Sequence, residues 1–385
     1  MKTYSVGFRI MLVLSMVLIP AMKSSACAGL FLRALRRVGG PRTRQAVDEA
    51  IELVLIENRG GVQDLVAYLY RHREKEWVQA SGCMVLMTMC LCNTENRRIA
   101  GEQGAIQAVV DALNRHRENE EVRNNGLMAL LSMCRDNTEN RRIAGEQGAI
   151  QAVVDALNRH RENKEVQEQG LMALASMCSK NTENSRIAGE QGAIQAVVGA
   201  LHRHRENEWA QVRGCMVLMT MCLCNTENRR IAGEQGAIQA VVDALNRHRE
   251  NKEVQKQGLM ALASMSRDNT ENKRIAGEQG AIQAVVNALN CHRANKEVRA
   301  TGHRALVIMC QDNTENMRIA REQGAIQAVR AKSFQEYKAD AGDLLYSAFR
   351  GVEGALKAFS GSGDDTSSPR RRLGDANSDE AGTGS

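Results

Sequence analysis

Apolar residues recur along this chain with two rhythms, one nested in the other. Around 105–117 (AIQAVVDALNRHR), Ile106, Val109, Val110 and Leu113 stand at i, i+3, i+4 and i+7, the spacing of one helical face. The segment closes on Arg115, His116 and Arg117, cations that the negative end of a helix dipole favours. A third helix is predicted over roughly 120–134, burying Val122, Leu127, Leu130, Met133 and Cys134. Glycine inside a helix costs stability, so Gly126 is read as a point where two helices approach closely. A short first helix precedes both. Asn93 and Thr94 supply N-cap chemistry, Glu95 lies in the first turn, and Gly104 accepts the left-handed conformation on which the helix ends near Gln103.

The outer rhythm is 44 residues. Asn-Thr-Glu-Asn begins at 93, 137, 181, 225, 269 and 313 without an insertion. Three short amphipathic helices cannot bury their apolar faces alone, so successive units must stack into one continuous core. The predicted repeats are 45–92, 93–136, 137–180, 181–224, 225–268 and 269–312, with a degenerate last unit at 313–359. Tyr68 and Tyr70 in the first unit, and Phe334, Tyr337, Tyr346, Phe349 and Phe359 in the last, mark ends that close the core differently from internal units. A longer period is superimposed: GCMVLMTMCLCNTENRR occurs at 82–98 and again at 214–230, a shift of 132 residues, which reads as duplication of a three-repeat block.

The segment KEVQEQGLMALASMC at 164–178 resembles the third helix of the armadillo repeat. The asparagine-rich join and the His-x-x-Asn turns (His116 with Asn119, His160 with Asn163, His248 with Asn251) are similar to those of the armadillo-repeat-containing-protein-6 group and of the armadillo region of large leucine-rich-repeat kinases. The likeness covers about 45–350. It implies an all-α, right-handed armadillo-type α-solenoid of about seven three-helix repeats, 45–359, acting as a non-catalytic scaffold or adaptor for a protein or peptide. In armadillo proteins of the importin-alpha kind the third helices line a concave groove, which grips extended basic peptides with a Trp and an Asn four residues later. At the Trp place this chain has Met84, Met128, Met172, Met216, Met260 and Arg304; at the Asn place it has Thr88, Ser132, Ser176, Thr220, Ser264 and Ile308. That departure argues against a nuclear transport receptor. It leaves a row of polarizable methionines flanked by hydroxyls, suited to helices or varied apolar segments. The alternative for the methionines is that they fill core.

Charge narrows the function further. Residues 1–44 hold eight Lys and Arg and no acid, leaving 43 basic against 45 acidic residues in the remainder. Binding nucleic acid calls for clustered cations and, on single strands, stacking aromatics. Between Val78 and Ser333 Trp209 is the only Phe, Tyr or Trp, so no nucleic-acid partner is expected. Nor does the chain hold a phosphate-binding Gly-rich loop, a nucleophile elbow or a His-Glu-x-x-His motif, and no catalytic residue, cofactor or small-molecule substrate is expected. The histidines at 72, 116, 160, 204, 248 and 292 are one repeat apart, too far to share an ion whose ligands sit at ~2 Å. They are read as helix-end caps. The pairs Arg97-Arg98 and Arg229-Arg230, accompanied by Glu95, Glu102, Glu227 and Glu234, are read as a solvated face.

Compartment is drawn two ways. Lys2 and Arg9, the apolar run Ile10–Ile19 and the small residues near Ala26-Cys27-Ala28 give 1–28 the three parts of a secretory signal peptide, followed by a basic leader at 29–44. The leader's Arg-rich, acid-free composition also suits organelle entry, so the alternative is an exported or organelle-targeted scaffold of the same fold. The run is shorter than the ~20 apolar residues of a membrane span, so no span is expected in the mature chain. Against export, Cys90, Cys134, Cys178, Cys222 and Cys310 share one third-helix position. Stacked helices hold them roughly 10 Å apart, beyond the ~7 Å that a disulfide bridges. They are read as buried free thiols suited to a reducing compartment, and the Cys90-x-Cys92 and Cys222-x-Cys224 pairs likewise. The tail 360–385, rich in Gly, Ser and Asp, is expected to be disordered.

Overall fold

The computed structural model describes residues 61–325, together with Glu52 and Ala328. The signal-like segment, the basic leader, most of the degenerate last unit and the tail lie outside the described residues. Within them the chain is an all-α solenoid of eighteen helices, three to each 44-residue repeat.

The first helices are Thr94–Glu102, Thr138–Glu146, Thr182–Glu190, Thr226–Glu234, Thr270–Glu278 and Thr314–Glu322. Each starts because the preceding Asn side chain accepts the backbone N–H three residues on, as Asn93 does from Asn96 at 3.0 Å. Each internal one stops at a glycine in the left-handed region, Gly104 at φ 77° being the first. The second helices are Val62–Arg71, Ala105–Arg115, Ala149–Arg159, Ala193–Arg203, Ala237–Arg247 and Ala281–Cys291. They end two residues before the predicted Arg117, since His116 leaves helical geometry while its amide still reaches Ala112 O. The third helices are Glu76–Leu91, Glu120–Cys134, Lys164–Cys178, Glu208–Cys222, Lys252–Ser266 and Lys296–Cys310, most of them capped by an Asn such as Asn119.

Each class of helix stacks on its own kind in the next repeat, and the third helices do so most extensively. The core runs between the layers: Ile106, Val109, Val122, Leu127, Leu130 and Met133 are fully buried, and their counterparts recur in the following repeats. Gly126 lies against Leu113 of the second helix, whose Cδ2 would stand 2.8 Å from a β-carbon there. The glycine is therefore required for the close approach expected of it.

Polar groups join the repeats as well. Asn140 Nδ2 donates to Arg97 O of the preceding repeat (2.7 Å) and to Met133 O (2.8 Å), and Asn184, Asn228, Asn272 and Asn316 repeat the pattern. The bond to Met133 O occupies a carbonyl of the last helical turn that would otherwise stay buried and unpaired, and the bond to Arg97 O ties the two repeats together. Arg97 corrects the expectation of a solvated arginine pair. Its guanidinium is buried and donates to Cys90 O (2.9 Å) and, across the junction, to Arg135 O (2.8 Å). Arg98, one residue on, points to solvent between Glu95 and Glu102. The histidines also do more than neutralise a dipole: His116 Nε2 meets Arg73 O of the preceding repeat at 2.8 Å, and His204, His248 and His292 make the same link.

Candidate functional site

Third helices are enclosed by neighbours on nearly every side, and one narrow stripe on each remains open. On Glu120–Cys134 it runs through Glu121, Asn124, Asn125, Met128 and Leu131, at helical spacing along one face. Aligning the repeats turns these stripes into rows that cross the stack. Met84, Met128, Met172, Met216 and Met260 form one row, all half-buried, and Arg304 ends it. Their helix neighbours at the next positions, such as Leu127 and Ala129, are fully buried. The hydroxyl row is less even. Thr88 is exposed, Ser176 and Thr220 are half-buried, and Ser132 and Ser264 are buried. Thr88 and Thr220 donate their hydroxyl protons back to Met84 O (2.9 Å) and Met216 O (2.8 Å), so toward a ligand they present acceptor lone pairs.

The face carries further residues that sequence reasoning did not single out. Two turns before the methionines lies a row of Trp77, Glu121, Glu165, Trp209, Glu253 and Glu297, a Trp-Glu-Glu sequence repeated with a period of three repeats. Three residues beyond the methionines stand Met87 and Met219, and at the helix ends Leu91 and Leu223, 43% and 37% exposed. Trp209 is 62% exposed with the Arg213 guanidinium 5.5 Å over its ring, a cation–π arrangement. The 132-residue duplication was the signal that could have found these rows, because it places Trp77 and Trp209 in one register.

Electrostatics along the face are uneven. Burial, and then the neighbouring carboxylates of Glu120 and Glu76, hold the Glu121 carboxyl above its ordinary range. Lys256 bridges Glu253 (3.0 Å) and Glu297 (3.3 Å) on successive repeats. Burial, and then Arg267, lower the pKa of Arg304.

Cys90, Cys134, Cys178, Cys222 and Cys310 are buried and free, and burial pushes the Cys134 thiol up to about 12. Cys92 and Cys224 correct the expectation that both members of each pair are buried: they stand exposed, because they follow the last turn of their helices. Among the described residues no group of three or more His, Cys, Asp or Glu is arranged to hold a metal ion, and no helix is long and apolar enough to cross a membrane. A surface hollow of about 730 Å³ lies away from the third-helix rows, lined by second-helix residues such as Leu201, Asp243 and Arg247, and contains none of the predicted groove residues.

No protein-family model matches the chain, and no curated protein matches it significantly. Solved structures do. An engineered protein from the Northeast Structural Genomics Consortium superposes with a TM-score of 0.70 at 19% identity, over 88% of this chain and 81% of its own. A designed armadillo repeat protein solved in complex with the peptide (KR)4 superposes with a TM-score of 0.57 at 25% identity, over 65% of this chain and 99% of its own. A computationally designed armadillo repeat protein for modular peptide recognition gives 0.57 at 24% identity, over 64% and 99%. The fold is armadillo-like.

Proposed function

We propose that this chain is a non-catalytic scaffold that binds a peptide or helix of a partner protein along the open face of its third helices. The observation that carries the reading is the methionine row. Met84, Met128, Met172, Met216 and Met260 keep part of their surface in solvent at one register of five successive repeats, where the adjoining apolar positions are sealed. Thioether side chains adapt to irregular apolar surfaces, which suits a face that takes up a ligand. The hydroxyls of Thr88, Ser176 and Thr220, with Arg304 at the end of the row, are the polar complement; Ser132 and Ser264, expected in the same role, are buried and stand outside it. The armadillo-like fold supports the same assignment, since one structural neighbour was solved holding a peptide.

The test is the double variant Met128→Glu with Met172→Glu. A carboxylate placed where apolar atoms must be desolvated on binding should weaken association by several kcal/mol, enough to abolish it. Affinity purification of the full chain, native N-terminus included, should recover a partner with the parent and lose it with the variant. Because both methionines are half-exposed, circular dichroism should show unchanged helicity. Arg98→Ala, on the first helix, should bind as the parent does. Loss of helicity in the double variant would make the methionines core, and normal binding by a folded variant would place the partner on another surface.

A further inference from the structure

The open face has a period of its own, three repeats long. Helix Glu76–Leu91 carries Trp77, Met84, Met87 and Leu91 down its stripe, and helix Glu208–Cys222 with its cap carries Trp209, Met216, Met219 and Leu223. At the tryptophan register the two helices between them present Glu121 and Glu165, and Glu168 lies one turn further along. The cations on those two helices are Arg123, which is buried, and Lys164, which lies at the helix start. Resting on the scaffold reading above, we propose that the occupant is an extended peptide with two apolar anchors about eight to nine residues apart and basic residues between them.

The spacing follows from the stack. Packed helices lie roughly 8–10 Å apart, so three steps separate the anchor stripes by about 25–30 Å. An extended chain rises about 3.3 Å per residue, which spans that distance in eight or nine residues. The basic centre follows from charge. Glu121 is half-buried with Glu120 and Glu76 as its charged neighbours, and a cation set against it relieves their repulsion. A helical occupant fits poorly, because an amphipathic helix needs an apolar contact every turn, about 5.4 Å. At the tryptophan register carboxylates, and no apolar side chain, stand between the anchors.

A displayed library of random 24-residue peptides, selected on the full chain, tests this. Enriched sequences should carry two aromatic or large aliphatic positions eight or nine residues apart, with Lys or Arg between them. A synthetic peptide from that set should bind at least tenfold more weakly to Trp209→Ser and to Trp77→Ser, the two anchors of one register. Removing three residues between its anchors should cost a similar factor. Trp209 is well exposed and Trp77 half-buried, so helicity should stay at the parental value in both variants. A selected spacing near eighteen, the rise of a helix over the same distance, would overturn the extended peptide, as would no spacing preference or no enrichment. Carboxylates at 128 and 172 would attract the basic centre, so the methionine row is probed here with Met128→Lys and Met172→Lys together. If the anchor variants bind normally while that double variant does not, the anchors fall and the scaffold reading stands. If neither change matters, both fall.

Discussion

His303 shows how far one residue can depart from its repeat. On the third helix Lys296–Cys310 it occupies the place that Leu127, Leu171 and Leu259 fill elsewhere, and it is buried there. Burial, and to a smaller extent the nearby Arg299 charge, lower its pKa to about 4. The unfolded chain, with a histidine near 6.5, therefore binds more protons than the folded one between those values, and folding stability falls as pH drops through that window. Urea unfolding at pH 7.5 and 4.5 should show an acid-induced loss that shrinks by roughly 2–3 kcal/mol in His303→Leu, the size expected of such a shift. An equal loss in parent and variant would show that the imidazole is not held neutral. Arg97 teaches a related lesson. Its partners are carbonyls 7 and 38 residues away, and the second becomes a neighbour only when repeats stack, so sequence proximity to Glu95 pointed to solvent.

Between helices the informative unit is the junction. A β-carbon on Gly101 would stand 2.0 Å from Asn140 Oδ1, so this first-helix glycine makes room for the asparagine that clamps the next repeat. The recurring pairs Gly145 with Asn184, Gly189 with Asn228, Gly233 with Asn272 and Gly277 with Asn316 are equally close. The chain supplies a control: at the matching position of the last unit it has Arg321, and 44 residues beyond Asn316 stands Ser360. Where no asparagine follows, no glycine is kept. Asn140→Ala leaves the last-turn carbonyl of Met133 unpaired and removes the tie to Arg97 O, and should cost about 1–3 kcal/mol. Gly101→Ala should cost a comparable amount by displacing the same side chain. The double variant should cost clearly less than the sum, because both break one clamp. Additive losses in chemical denaturation would show that glycine and asparagine act independently.

Over the stack as a whole, burial sorts the ten described cysteines by place in the repeat. Cys92, Cys224 and Cys291 are exposed at helix ends, while Cys83, Cys90, Cys134, Cys178, Cys215, Cys222 and Cys310 sit inside the stack. Burial raises the internal thiols well above neutrality, Cys90 to about 11 and Cys178 to about 12, which suppresses the reactive thiolate. A maleimide probe at pH 7.5 should label the three exposed residues in the native protein and these seven only after denaturation, as read by peptide mass spectrometry. Native labelling of Cys134 or Cys178 would show that the stack opens readily at those repeats. Because each repeat touches only its neighbours, any such opening should stay local.

The 44-residue period, the three helices in each unit, their caps and their buried apolar faces were all legible in the chain, because each depends on spacing within a few turns. The asparagine and glycine punctuation was legible for the same reason, as were the free thiols at one repeated position. Burial of Arg97, the reach of His116 to Arg73 O and the clamp of Asn140 on Arg97 O were not legible. Their partners lie some 38 to 43 residues away, and only the angle at which repeats pack brings them within hydrogen-bonding distance. The methionine register could be read by alignment; the openness of the stripe around it, with Trp77 and Trp209 framing Glu121 and Glu165, was decided by which side of each third helix its neighbours leave uncovered.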